Sequence, residues 1–582
     1  MKKKSLAMVL AAAMCVTSLA GCGGKDEPDM SKYDKKESKE EKDERDDVND
    51  EIPTGGEPDK EQFINTFTSE QPTTLDPSKG SDMYGSVILY NTVEPLVRIQ
   101  DKKDEFNEIE YVNAGAEDYE VSDDGLVYTF HLREGNKWND GEPVTAENYA
   151  YGIRRSADPD TACPYANLMF YIKNGQEINE GKKKLDELGV KVIDDKTLEI
   201  TLEHPTPYFI DIVTQRTYFP QREDLAEKLG DKYSTDPDTL PQCGPFILKD
   251  WTMNTEQNFV KNDDYWDAKN VKLDKFHVAI IQEANTIYQA LKSGEIDFAG
   301  VSDPKWKAQF FDDDNFYHIS KTRADTVYLT TNYHENSNLK NNKMRQAISI
   351  ALDRQELIDA TMNGVPIPAY DFVPPAVSNL GEVFNVENKG CVSELAEDNK
   401  DPKALFIEGL KEAGLDEDPG KFELHYLGSG TSQDARLMGE FIQQNLKDVL
   451  GIKVKVDQME WNQFMNAMQA GDYDVAHLAW NADYNDPSNF LETCYSKTAV
   501  YDNGFEDKKY DELLEKAQVE EDVAKRGELL HEAEHQLVYE DAAVIPINHR
   551  VSHSFIRKYI RNANISMFCT TGMRNMYTSG RK

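Results

Sequence analysis

Two stretches far apart in the chain carry the same grammar: "NTIYQALKSGEIDFAG", Asn285 to Gly300, and "WNQFMNAMQAGDYDVAHLAW", Trp461 to Trp480. In each, apolar residues recur at helical spacing, a glycine follows, and a short run rich in β-formers comes directly after. A glycine there suits a helix ending in a left-handed residue, which a side chain with a Cβ adopts only at a cost. Such a unit hands the chain from helix to strand with almost no loop. Its apolar faces are satisfied by helices layered on a sheet. "ARLMGEFIQQNLKDVLGIKVKVDQME" from Ala435 repeats the order of long helix, glycine and strand, and "KMRQAISIALDRQELIDATMNG" from Lys343 predicts a helix pair ending at Gly364. Leu126, Tyr128, Phe130 and Leu132 alternate as in a strand, Thr145 caps a helix through Arg155, and "VKVIDDKTLEITLEH" reads as two strands joined at Asp194–Asp195. An α/β protein follows, and at 582 residues it needs two or three domains.

The first sixty residues have another character. Lys2, Lys3 and Lys4 precede a small, apolar run from Ser5 to Leu19, too short for a comfortable membrane span and suited to an export signal. Leu19-Ala20-Gly21-Cys22 resembles a bacterial lipoprotein box, which implies cleavage after residue 21 and Cys22 as lipid anchor. From Gly23 to about Lys60 large apolar residues are nearly absent, so residues 22–60 are expected to form a lipidated, disordered acidic tether. The net charge of −41 disfavours nucleic acid as a partner. Five cysteines remain after Cys15 and Cys22: Cys163, Cys243, Cys391, Cys494 and Cys569. None forms a CxxC pair, and their odd number leaves at least one free thiol.

One motif points to chemistry. His531-Glu532-x-x-His535 has the spacing of a helical zinc-peptidase site. The sequence "HEAEHQLVYED" lacks the glycine and third histidine of the longer motif. Leu529, Leu530, Ala533 and Leu537 form the apolar stripe of the helix, which leaves both histidines on its polar flank. The expectation is therefore solvent-side histidines, no metal, no cofactor and no catalytic residue, with the zinc peptidase as the remote alternative.

A series of short stretches then appears in a recognisable order: "TLDP" at Thr74, "SDDGLVYTFHLREGNKWNDGEPVTAEN" at Ser122, "DPDTACPYA" at Asp158, "GPFILKDW" at Gly244, "YWDAKNVKLDK" at Tyr265, "LKSGEIDF" at Leu291, "RQAISIALDR" at Arg345, "PAYDFVPP" at Pro368 and "AWNADYNDPSNFLE" at Ala479. Together they resemble the oligopeptide-binding proteins of bacterial ABC importers, in the extracellular solute-binding protein family 5, over nearly the whole folded chain. The resemblance implies a periplasmic-binding-protein-like type II fold of three domains. Lobe I would be 61–93, 220–321 and 551–582, an extra α/β domain 94–219, and lobe II 322–550. Hinges would lie near 93, 220, 321 and 550. It further implies a monomer that captures an oligopeptide, docks on ABC permease subunits and stays at the membrane through its N-terminal lipid. Other solutes taken by the same fold, such as dipeptides, metal chelates, haem or oligosaccharides, are the nearer alternative.

Peptides share a backbone, an α-ammonium and a terminal carboxylate, and a binder of many sequences must read those. By resemblance, the backbone would be read by edges at Ser81-Asp82-Met83 and Ala479-Trp480-Asn481, and the α-ammonium by Asp483. Trp461, Trp480 and Tyr165 match aromatic positions of the family's cleft. His477 stands where well-known members have an arginine that helps hold a carboxylate, so that contact is expected to be weaker or pH-dependent. Asn481 and Thr322 stand where some members have a cysteine pair, and Pro95 where glycine is common.

Overall fold

The helix–glycine–strand units form as their sequences dictate. In a computed structural model describing residues 49–102, 109–385, 389–497, 499–565, 568 and 572–581, helices Ala284–Ser293 and Trp461–Ala470 end at Gly294 and Gly471. Both glycines are left-handed, with φ of 84° and 70°, and strands Phe298–Gly300 and Val475–Asn481 follow. Helix Gln433–Leu450 likewise stops at a left-handed Gly451 before strand Lys453–Met459. Thr145 caps helix Ala146–Ala157 as expected. Strands Val190–Asp194 and Thr197–Thr201 pair as a hairpin. Part of the acid excess has a local use: Asp82, Asp303, Asp353, Asp401, Asp507 and Asp522 each accept a first-turn N–H at a helix start.

Four sheets carry the architecture. One runs in the order Phe63–Thr68, Lys275–Ile280, Glu256–Lys261, Phe246–Thr252, its first pair parallel. A three-stranded sheet places Val551–Arg557 between Phe298–Gly300 and Phe316–Thr322. A four-stranded antiparallel sheet gathers Ala116–Val121, Val127–Leu132, Thr197–Thr201 and Val190–Asp194. The largest has six strands, ordered Ile367–Pro368, Val544–His549, Asp325–Thr331, Val475–Asn481, Glu423–Ser429, Lys453–Met459. The chain leaves the three-stranded sheet for the six-stranded one at 322–325 and returns at 549–551. The two passages lie side by side, and the Arg323 N–H donates to the Arg550 carbonyl at 2.9 Å.

The expected signal, Cys22 and most of the expected tether lie outside the described residues. Residues 49–60 do not fit the expectation of a tether. The Asp50 and Asp59 N–H groups donate to the carbonyls of His318 and Thr578, the Pro53 carbonyl accepts from Asn562, and Ile52 packs on the core. Asp59 also accepts from the N–H groups of Gly580 and Arg581. Backbone pairing to an existing edge orders a polar strip, and hydropathy carries no sign of it. Cys163, Cys243, Cys391 and Cys494 are buried free thiols, and Cys569 lies outside the described residues.

A fully buried ion pair fastens the helix of the "HEAEH" motif to the "NADYNDP" loop. Arg526 donates from Nη1 and Nη2 to Asp486 Oδ2 and Oδ1 at 2.7 and 2.8 Å, and neither side chain has measurable exposure. Arg526 also donates to Asn379 Oδ1 and the Ala517 carbonyl and lies over the Tyr208 ring. Removing one partner of such a pair strands the other charge without water. Asp486→Ala is expected to lower unfolding stability by about 3–5 kcal/mol, to be measured by chemical denaturation.

Candidate functional site

The strand Val475–Asn481 creates the site. On one side it pairs with Asp325–Thr331 over its whole length, Asp325 facing Asn481 and Thr331 facing Val475. On the other it pairs with Glu423–Ser429 only at Val475 and Ala476. Beyond Ala476 that side of the backbone has no strand partner among the described residues. Ala479 and Asn481 are exposed there, and an unpaired stretch of strand is a template for an added one.

The loop after this strand is built to present one carboxyl. Asp486 takes its own helix-side N–H from Ser488 and is clamped by Arg526. Buried Asn489 then accepts from both the Asp483 N–H and Trp480 Nε1, each at 3.0 Å. Gln215 donates to the Asp483 carbonyl from the far side. Asp483 lines a partly open cavity and is itself partly buried. Burial pushes it up to about 7, partly offset by a hydrogen bond from Asn489. It is an acid on the verge of ionising, in a place where a cation would complete it.

That cavity measures about 380 Å³, near the lower end of the roughly 300–1,000 Å³ of small-ligand pockets. Ser81, Asp82, Met83, Tyr165, Ala479, Trp480, Asn481 and Asp483 all line it, so eight of the ten residues singled out in the sequence share one wall or another. Trp480 packs edge-on to Tyr501 with ring centroids 6.5 Å apart.

Three expectations need correction. Ser81-Asp82-Met83 is no strand edge: Met83 opens the helix Met83–Thr92, and Asp82 caps it, accepting from the Gly85 N–H at 2.7 Å and from Thr73 Oγ1 at 2.6 Å. What this segment offers the cavity is a helix start, whose first N–H groups have no intrahelical partner. Trp461 does not line the cavity; it stacks on Phe464 one helical turn away and is 50% exposed. His477 shares a strand face with Ala479 and Asn481 but also falls outside the lining. Its Nε2 is cut off from solvent with no hydrogen-bond partner. Burial, and then the charge of Arg550, push its pKa down to about 4. A neutral imidazole shielded from the cavity does not serve as a titrating carboxylate contact there at neutral pH.

Several lining residues carry no sequence signal. Arg216 is buried and donates to the carbonyls of Asp76, Pro77 and Asp82 at 3.1–3.3 Å and to Ser86 Oγ at 3.3 Å, which fixes the loop leading to Met83. Tyr111 donates to Asp211, whose carboxyl burial pushes up to about 8. Tyr171 donates to Glu492 at 2.8 Å and meets the Tyr484 hydroxyl at 3.1 Å, while Tyr208 stacks on Tyr484 at 5.9 Å. The Tyr171 and Tyr208 contacts join the 111–219 region to the 483–492 loop at Tyr484, which lines the cavity.

The "HEAEH" motif is occupied by packing. His531 stacks on Phe384 with centroids 3.9 Å apart and His535 on Tyr539 at 4.4 Å. Both rings are therefore half-buried, where open solvent was expected. Glu532 is exposed, and Glu534 is buried, accepting from the Phe372 and Val373 N–H groups at 2.9 and 2.7 Å. Among the described residues no three His, Cys, Asp or Glu side chains are grouped to hold a metal.

Sheets linked by paired crossovers around a cleft define a type II periplasmic-binding-protein architecture. Residues 110–502 match the model of bacterial extracellular solute-binding proteins, family 5. The oligopeptide-binding protein OppA of Bacillus subtilis is 31% identical over 521 residues, covering 88% of this chain and 91% of that protein. The dipeptide-binding protein DppE of the same organism is 33% identical over 501 residues, covering 86% and 88%. The solved structure of Listeria monocytogenes OppA bound to peptide superposes with a TM-score of 0.72 at 31% identity, covering 90% of this chain and 100% of that one. The chain belongs to extracellular solute-binding protein family 5, the binding proteins of ABC importers.

The positioning loop can be tested at Gly80. A Cβ there would lie 1.6 Å from Arg216 Nη2. Gly80→Ala must displace the guanidinium and is expected to cost at least about 1–3 kcal/mol, measured as a lowered urea midpoint, and to cost much less when introduced into an Arg216→Ala background than into the wild type.

Proposed function

We propose that this chain captures short peptides in the 479–483 cavity and delivers them to an ABC permease from the outer face of a cell membrane, held there by a lipid on Cys22. The observation that carries the reading is Asp483: a shielded carboxyl beside an unpaired strand edge, matched to the α-ammonium and backbone of an extended peptide. The peptide backbone adds to Ala479–Asn481 as a strand, and its amino terminus pairs with Asp483. In a cleft walled by protein such a pair is screened less than on an open surface. The names of the relatives, oligopeptide- and dipeptide-binding proteins, agree with this class of ligand.

Opening and closing follow from the connections. Lobe I (61–93, 220–321, 551–582) and lobe II (322–550) are joined at 322–325 and 549–551, with the 94–219 domain extending the first. Rotation about these passages would break the contacts of Tyr171, Tyr208 and Gln215 with the 483–492 loop and admit the ligand.

Mass spectrometry of material released by denaturing the purified protein is expected to show intact peptides of a few residues. A saccharide, haem or metal chelate in their place defeats the proposal. Binding should also depend on pH. In the free protein Asp483 holds a proton below about 7, and that proton must leave before the ammonium pairs. Affinity is therefore expected to fall by up to about tenfold per pH unit below 7. It falls again above roughly 8, where a peptide α-amine loses its own proton. Asp483→Asn should weaken binding and remove the acidic limb in titration calorimetry; an unchanged profile would remove Asp483 from the role.

A further inference from the structure

The cavity has a second charged wall that the α-amine reading does not use. Arg323 sits at the passage between strands Phe316–Thr322 and Asp325–Thr331, and lines the cavity. Its Nε lies 2.8 Å from Asp325 Oδ2, and Arg550 Nε, from the return passage, lies 3.1 Å from the same oxygen. Asp325 is almost wholly buried, whereas each arginine side chain is about a third exposed. Both guanidinium groups also donate to Asn481 Oδ1, at 3.2 and 3.3 Å. Two cations thus share one carboxylate and one amide oxygen.

The remaining lining favours Arg323 as the reader of an anion. Among the described residues the other cationic side chain lining the cavity is Arg216, whose donors are committed to the carbonyls of Asp76, Pro77 and Asp82 and to Ser86. Arg323 donates one side-chain hydrogen bond and makes one ion pair, and its Nη1 has neither. The pairs with Asp325 and Asn481 hold the group in place, so a ligand need not order it. His477, four residues before Asn481, is neutral and its Nε2 is cut off from solvent.

We infer that Arg323, oriented by Asp325 and Asn481 and backed by Arg550, forms a carboxylate subsite of the cavity, so that this protein prefers peptides bearing a carboxylate within two residues of their amino terminus. Sequence spacing bounds the distance. Asn481, which both arginines contact, precedes Asp483 by two residues, so their backbones are at most about 7 Å apart, within the reach of a dipeptide from its ammonium to its terminal carboxylate or to an acidic side chain at the second position. A guanidinium suits this task because it presents paired donors in the plane of a carboxylate and stays charged. The subsite rests on the peptide-binding reading of the same cavity.

Two ligand pairs separate the sources of the carboxylate: alanyl-alanine against its C-terminal amide, and alanyl-glutamyl-alanine against alanyl-glutaminyl-alanine. By titration calorimetry near pH 7.5, wild-type protein is expected to bind the charged member of at least one pair about tenfold more tightly. The pair showing the ratio identifies the source. In Arg323→Gln the ratio should collapse to about one, and in Arg323→Lys part of it should return. Thermal melts of each variant without ligand establish that it is folded. A ratio near one for both pairs in the wild type, or a ratio that survives in Arg323→Gln, overturns the subsite while leaving peptide capture intact. Failure of the wild type to bind any of the four peptides overturns the reading beneath it, and the subsite with it.

Discussion

The bidentate pair between Arg526 and Asp486 is the contact on which the site depends. Its energy alone is no measure of importance, since burying two charges costs about as much as their attraction returns. What it supplies is position. Asp486 is held from one side by the guanidinium and from the other takes the Ser488 N–H. That fixes the turn that places Asn489, and Asn489 fixes both Trp480 and Asp483. Tyr208 lies under the same guanidinium, so a residue of the 94–219 region is tied to the loop as well. A pair that is costly to break and geometrically specific suits a loop whose carboxyl must be held without a cation of its own.

The same shielding that makes Arg526 and Asp486 interdependent also raises the carboxyls around them. Burial pushes Asp483 and Glu492 up to about 7, and Asp211 to about 8. Glu492 is met by the Tyr171 hydroxyl from the 94–219 region and Asp211 by Tyr111 within its own region, hydrogen bonds that partly offset the burial. At Asp483 the offset comes from Asn489. The three acids therefore differ in what completes them. Two are satisfied within the protein, and the third is oriented toward space that a ligand can fill.

Much of the layered architecture was legible from local pattern. Gly294, Gly451 and Gly471 stop their helices in the left-handed conformation the spacing implied, and Thr145 caps its helix. The "NADYNDP" stretch was recognisable, yet the roles inside it were only partly so: Asp483 stood out, whereas Asn489 and Asp486 do the holding. Met83 misled because Asp82 could be read either as part of an extended edge or as a helix cap, and only the acceptor geometry at Gly85 and Thr73 decides. The "HEAEH" spacing misled in another way. A motif specifies which side chains share a helix face, but Phe384 and Tyr539, which cover those rings, come from chain positions the motif does not mention.

By itself the sequence determined the alternation of helix and strand, the α/β class and the family, because these rest on periodicity, glycine stops and short motifs that act within a few residues of chain. Only the tertiary structure decided which side of Val475–Asn481 is left unpaired, which acid lines the cavity without a tyrosine partner, and that Arg323, Asp325, Asn481 and Arg550 meet at one point. Those outcomes depend on contacts between residues as much as two hundred or more positions apart. Their electrostatics follow from how completely the assembled sheets exclude water, a property that no local stretch of sequence possesses.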